Sequence, residues 1–173
     1  VLNTRQPYGT ELPLRGWITD LPLISGAPVV TDLLTSKVTG RPVITVLAPE
    51  PGVETQRYNI GIAFGPEVIQ QVLDAQQLPP NAVASVLDGH FRTVARSKDP
   101  QKWLGSVAAP ATVAAASRGL LDQEFESSSR EGEPTIAVIA RSARYGWTVA
   151  VGLPRTALDK PAIRVTLQAF AAA

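Results

Sequence analysis

The sequence predicts an α+β fold of two tandem modules, each a five-stranded antiparallel sheet with flanking helices, the first of them N-terminally incomplete. Three observations predict it: short β-branched runs with period-two alternation, proline-opened helical segments between them, and an internal repeat at a spacing of about 90 residues. Residues 42–48 (PVITVLA) are an apolar run and residues 57–64 (RYNIGIAF) alternate, so both read as strands, with Pro51-Gly52 as the turn. In the second strand Tyr58, Ile60, Ile62 and Phe64 share one face, while Asn59, Gly61 and Ala63 share the other. Pro66 and Glu67 open an amphipathic helix through Val68, Ile69, Val72 and Leu73, ending near Gln77 before Pro79-Pro80.

Past that double proline, residues 82–88 and 91–97 read as a hairpin turning at Asp88-Gly89. Residues 110–118 (PATVAAASR), with Pro110 at the start and Gly119 after the end, read as a short helix. Strands follow at 120–127, 133–142 and 146–153, and a closing helix is expected from Pro154 or from Pro161. The repeat lays residues 40–48 over 132–140 and residues 58–64 over 147–153. In both last strands an aromatic leads, branched residues alternate with small ones, and a proline (Pro66, Pro154) follows. Carried back, the alignment starts the first copy in its second strand, so residues 1–78 read as one incomplete module with a connecting helix and 79–173 as a complete one.

Composition narrows the chemistry. The chain has 173 residues, 45% hydrophobic and 18% charged, with a net charge of +1 and no run of like charges, so neither disorder nor nucleic-acid binding is expected. It has no cysteine, which excludes thiolate catalysis, disulfides and cysteine-based metal sites, and one histidine, which excludes a multi-histidine centre. The longest stretch without Asp, Glu, Lys or Arg is 15 residues, Trp103 to Ser117. That is short of the ~20 apolar residues of a membrane helix. The start at Val1 shows no leader pattern, so the sequence reads as a piece of a longer protein.

No catalytic set can be assembled. His90 follows the Asp88-Gly89 turn and reads as a solvated loop tip, and Ser127, Ser128 and Ser129 read as loop residues before a turn. Gly61 and Gly65 lack the glycine-rich run and lysine of a phosphate loop. No cofactor and no metal are expected, and the region is expected to be non-enzymatic.

The order of two strands, helical segment and three strands, duplicated and joined by a helix, resembles the double Cache, PAS-like sensor region of bacterial sensor histidine kinases. The phrases LNTRxPYGTxLP, VVTDLL before GRPV, AxxLDGHFRTVARSKDPQKWLG and RYGWTVAVGLPRTAL are similar to wording of that family, over nearly all of residues 1–160. The resemblance implies a ligand-sensing domain outside the cytoplasmic membrane, flanked by two membrane helices and working as a homodimer. It further implies a cavity between one sheet face and the segments joining the second and third strands, a small-molecule ligand, and the first module as the ligand-holding copy. A chemoreceptor or diguanylate cyclase sensor domain, or a protein-interaction module without a small ligand, are the alternatives.

Asp32, Arg41, Thr45 and Tyr58 fall on the strands and leading loop of the first module. A guanidinium can bind a carboxylate in bidentate fashion and a tyrosine hydroxyl can orient it, which suits a small carboxylate or amino acid. Arg41 equally reads as a turn-side charge, since Glu133 replaces it in the second copy, and Tyr58 as a core aromatic aligned with Trp147. Arg141 and Tyr145, before the last strand of the second copy, are candidates of the same kind. The small-residue face of each last strand admits close approach of a helix or a ligand.

Overall fold

Strand-forming residues fall into two antiparallel sheets in a computed structural model, which describes residues 4, 6–11, 18, 20–50, 58–119 and 121–157. Two compact units result, Val1–Gly65 and Pro66–Ala173. The expected Pro51-Gly52 turn and the closing helix beyond Ala157 lie outside the described residues. No helix among the described residues is long and apolar enough to cross a membrane.

The first unit contains a short helix α1 (Leu21–Ser25) and strands β1 (Val29–Val30), β2 (Leu34–Thr35), β3 (Pro42–Glu50) and β4 (Tyr58–Phe64). Both β1 and β2 pair with β3, Val30 opposite Val46 and Leu34 opposite Val43. Four steps on one side match three on the other, so β1 and β2 act as one edge strand broken by a bulge. Thr31 bridges the break: its N–H donates to the Thr45 carbonyl, and its hydroxyl accepts from the Thr45 N–H, both at 2.9 Å. On the other side of β3 lies β4, Ile44 opposite Phe64 and Glu50 opposite Tyr58.

The second unit opens with α2 (Glu67–Asp74), followed by β5 (Val83–Leu87), β6 (Thr93–Arg96), α3 (Pro100–Trp103), α4 (Pro110–Ser117), β7 (Phe125–Ser128), β8 (Pro134–Arg141) and β9 (Thr148–Pro154). Its five strands run in the spatial order β6-β5-β9-β8-β7. Helices cover both faces. Leu73 and Ile69 of α2 pack with Ala84, Ala95 and Val151 on one side, and Ala115 and Ala116 of α4 pack with Ile139, Phe125 and Ala150 on the other. Alternation along the strands sorts the side chains between these two layers.

The repeat holds at the level of pairing. Ile44 lies opposite Phe64 as Ile136 lies opposite Leu153, and Leu47 opposite Gly61 as Ile139 opposite Ala150. The turns are alike but differ by one residue, Ser36 to Arg41 against Ser129 to Glu133. The Ser36 hydroxyl accepts from the N–H groups of Val38 and Thr39, as that of Ser129 accepts from Glu131 and Glu133. Each turn then needs one left-handed residue, supplied by Gly40 (φ +68°) and Gly132 (φ +85°). Upstream, α1 is capped by left-handed Gly26, and α4 is followed by Arg118 and then left-handed Gly119.

Three local expectations change. The strand expected over 120–127 starts only at Phe125, because Asp122 takes a positive φ and its N–H donates to the Ile139 carbonyl at 2.8 Å, and it runs to Ser128, so Ser127 and Ser128 are strand rather than loop residues. The β5–β6 turn is a three-residue loop rather than a two-residue Asp-Gly turn. Asp88 and Arg92 close it, Asp88 N–H to Arg92 carbonyl at 2.9 Å, and Phe91 takes the left-handed position at φ +60°. The fully buried Asp88 carboxylate organises that loop, accepting from the N–H groups of His90 and Arg92 and from Arg92 Nε at 3.0 Å. The helix after Pro66 stops at Asp74, three residues before its expected end.

Candidate functional site

Alternation places Ser85, Ala150, Gly152, Ala137, Thr135 and Ser127 on the α4 face of the second sheet, where ladder pairs join Ser85 to Ala150, Gly152 to Ala137 and Thr135 to Ser127. These side chains are too short to fill the space between sheet and helix. A cavity of about 70 Å³ remains, with this floor, and with Ala108, Ala109 and Thr112 of the α3–α4 region on its other side. The small-residue face of β9 therefore serves both uses at once: Ala150 packs toward α4 and also lines the cavity.

Two arginines line the same cavity. Arg96 sits on β6 opposite Ser85, and its side chain is only 4% exposed. Its guanidinium donates to Glu131 Oε2 at 3.1 Å and to the Lys98 carbonyl. Gln70 of α2 holds the Arg96 backbone from both sides, donating to its carbonyl and accepting from its N–H at 3.0 Å each. Arg130 follows β7 in the turn to β8, with Nη2 at 3.5 Å from Ser106 Oγ. Both guanidinium groups lie near the Trp103 ring, 5.8 Å from its centroid for Arg96 and 4.7 Å for Arg130, and Lys102 Nζ lies at 5.0 Å.

Arg96 belongs to one edge strand of this sheet, and Glu131 to the turn beyond the other. A flat five-stranded sheet would separate those edges by about 19 Å. Their ion pair therefore spans the α4 face, bridged by two long side chains and by the turn that follows β7.

Burial, then the charge of Arg96, lowers the Arg130 guanidinium from its ordinary value, and Glu131 partly offsets this. Burial alone would raise the Glu131 carboxyl, but the hydrogen bond and charge of Arg96, with a hydrogen bond from Ser129, hold it below the ordinary range.

The candidates read from the sequence fall elsewhere. Asp32 lies in the bulge between β1 and β2, and Thr45 lies mid-strand on β3, on the small-residue side of that sheet. Arg41 is exposed in the turn before β3, and Tyr58 starts β4 opposite Glu50, 55% exposed. Nine residues of extended β3 separate Arg41 from that end, about 30 Å, so one small ligand cannot touch both. Arg141 donates to the Gly146 carbonyl at 3.2 Å and stacks 5.1 Å over Phe91, clamping the β8–β9 turn. Tyr145 lies in that turn, 41% exposed, with Arg144 over its ring. Neither Arg141 nor Tyr145 lines the cavity. Sequence reading passed over Arg96 and Arg130; the available signal was a charged residue inside the apolar run Thr93–Arg96, a costly placement unless it is paired.

No protein-family model matches the sequence, and no curated protein matches it. Solved structures do match. The extracellular domain of mmHK1S-Z3, assigned as a histidine kinase, aligns with a TM-score of 0.69 at 14% identity, over 91% of this chain and 62% of that one. That of rpHK1S-Z16, with the same assignment, aligns at 0.60 and 16% identity, over 78% and 56%. The ligand-binding domain of the Campylobacter jejuni chemoreceptor Tlp3, in complex with L-norvaline, aligns at 0.65 and 14% identity, over 85% and 55%. The fold is that of a tandem PAS-like sensor domain. The chain spans only 55–62% of the length of these three solved domains. Within the second unit the cavity lies between the sheet and the segment joining β6 to β7, whereas the resemblance implies the first module as the ligand-holding copy.

Proposed function

We propose that this chain is the extracytoplasmic ligand-sensing region of a transmembrane receptor, a sensor histidine kinase of an inner membrane, and that it works as a homodimer without catalysing a reaction itself. Residues 1–78 comprise its membrane-distal module and the connecting helix, and residues 79–173 its membrane-proximal module and a C-terminal helix. The observation that carries the reading is the cavity on the sheet of the second unit, lined by two arginines and several hydroxyls, in a fold shared with kinase and chemoreceptor sensor domains. A receptor needs two states that a ligand distinguishes. The Tlp3 structures, which hold amino-acid ligands, favour a second reading in which the output is chemotactic.

The test is a thermal-shift screen of the chain against amino acids, carboxylates, purines, polyamines and sugars. A ligand at 100 times its Kd adds about 2.7 kcal/mol, or roughly 2–4 °C in Tm for a chain of this size. A saturable rise with any one class supports sensing. A flat response across the panel gives the role to protein contacts instead.

A further inference from the structure

The cavity of the second unit carries an excess of positive charge. Arg96 and Arg130 line it and Lys102 stands beside the same Trp103 ring, while among the described residues Glu131 is the one carboxylate hydrogen-bonded to this group. Two guanidinium groups around one indole repel each other, and burial removes the water that would screen them. The lowered Arg130 value has those same two causes. An anion between them relieves both.

Size and lining narrow the anion. A single water needs about 10–15 Å³ of such space, so 70 Å³ has room for roughly five to seven groups the size of a water or a methyl. The floor is small and apolar at Ala137, Ala150 and Gly152, and hydroxyl residues line much of the rest, Ser85, Thr93, Thr112, Thr135 and Ser127 to Ser129. Small size and a hydroxyl-rich wall fit a short carbon tail, with or without a hydroxyl of its own. Guanidinium forks match the planar carboxylate, and that of Arg96 is held before any ligand arrives by the Lys98 carbonyl and Glu131, on a backbone that Gln70 fixes.

We propose that this cavity binds a short-chain carboxylate through Arg96 and Arg130, with the tail on Ala137, Ala150 and Gly152. Its role as a signalling input rests on the sensing reading above; the binding itself does not. Glu131 is the internal competitor for Arg96, so occupancy and the Arg96–Glu131 pair oppose each other.

Titration calorimetry of the chain at low salt, with acetate, propionate and lactate against the neutral acetamide and lactamide, tests this. The carboxylates are expected to bind saturably and the amides about tenfold more weakly or worse. Arg130→Gln, at a half-buried turn position with one long hydrogen bond, is expected to weaken carboxylate binding about tenfold, and Glu131→Gln to tighten it. Gly152→Ala, whose methyl would sit 3.8 Å from Thr135 Oγ1, is expected to disfavour lactate more than acetate. Equal binding of acids and amides, indifference to Arg130→Gln, or no carboxylate binding overturns the proposal. If carboxylates fail while another class raises Tm in the wider screen, the ligand class falls and sensing stands; if nothing binds, both fall.

Discussion

The last strands of the two units, β4 and β9, carry one pattern and meet different surroundings. On β4 the large-residue face is bare, with Tyr58, Ile60 and Ile62 at 55%, 60% and 67% exposed. On β9 the matching face is partly covered: Val151 packs against the cluster of α2 and Leu153 is fully buried. The edges differ in the same way. β9 is paired on both sides, by β5 and β8, whereas among the described residues β4 pairs only with β3. Identical alternation therefore sets which face a residue joins, and neighbouring elements set whether that face leaves water.

Paired aspartate substitutions give the largest effect that can break this comparison. Val151→Asp is expected to lose about 2–4 kcal/mol, by placing a carboxylate against Leu73 and Ala95, and Ile60→Asp under about 1 kcal/mol, mostly strand propensity. Urea midpoints of the two variants check it; equal losses would mean that the β4 face is covered as well as the β9 face. Ser36→Ala and Ser129→Ala come next, at about 1 kcal/mol each, because each hydroxyl accepts two turn N–H groups. Matching values from the same denaturation experiment would sharpen the claim that the two turns are one device.

The smallest effect is a pH dependence confined to the second unit. The Glu131 carboxyl is held below its ordinary value, so its pair with Arg96 contributes fully above the unfolded carboxylate pKa of about 4.3. The contribution is lost as pH falls through the lower folded value. Exposure of Glu131 limits it to a few tenths of a kcal/mol. Stability measured from pH 6 down to about pH 3 is expected to fall less in Glu131→Gln than in the unaltered chain; parallel curves would remove the ion pair from the account.

Legibility in the sequence follows element length. β3, β4, β5, β6, β8 and β9, with α2 and α4, each hold enough residues for a period to show, and each lies within a few residues of its expected span. α1 and α3 have five and four residues, β1 and β2 two each, and no periodicity exists at that length. Phe91 could not be foreseen in a left-handed conformation, because Asp-Gly is the stronger local turn signal; the pull of the buried Asp88 and of the Phe91 packing beside Ala115 is tertiary.

By itself the sequence determined the duplicated strand order, the two faces of each strand and the exclusion of sulfur and multi-histidine chemistry. These follow from nearest neighbours along the chain and from the period of two. Only the tertiary structure decided where a ligand could sit. Arg96, from one edge strand, and Arg130, from the turn beyond the other, meet around one tryptophan, a proximity that no local pattern encodes.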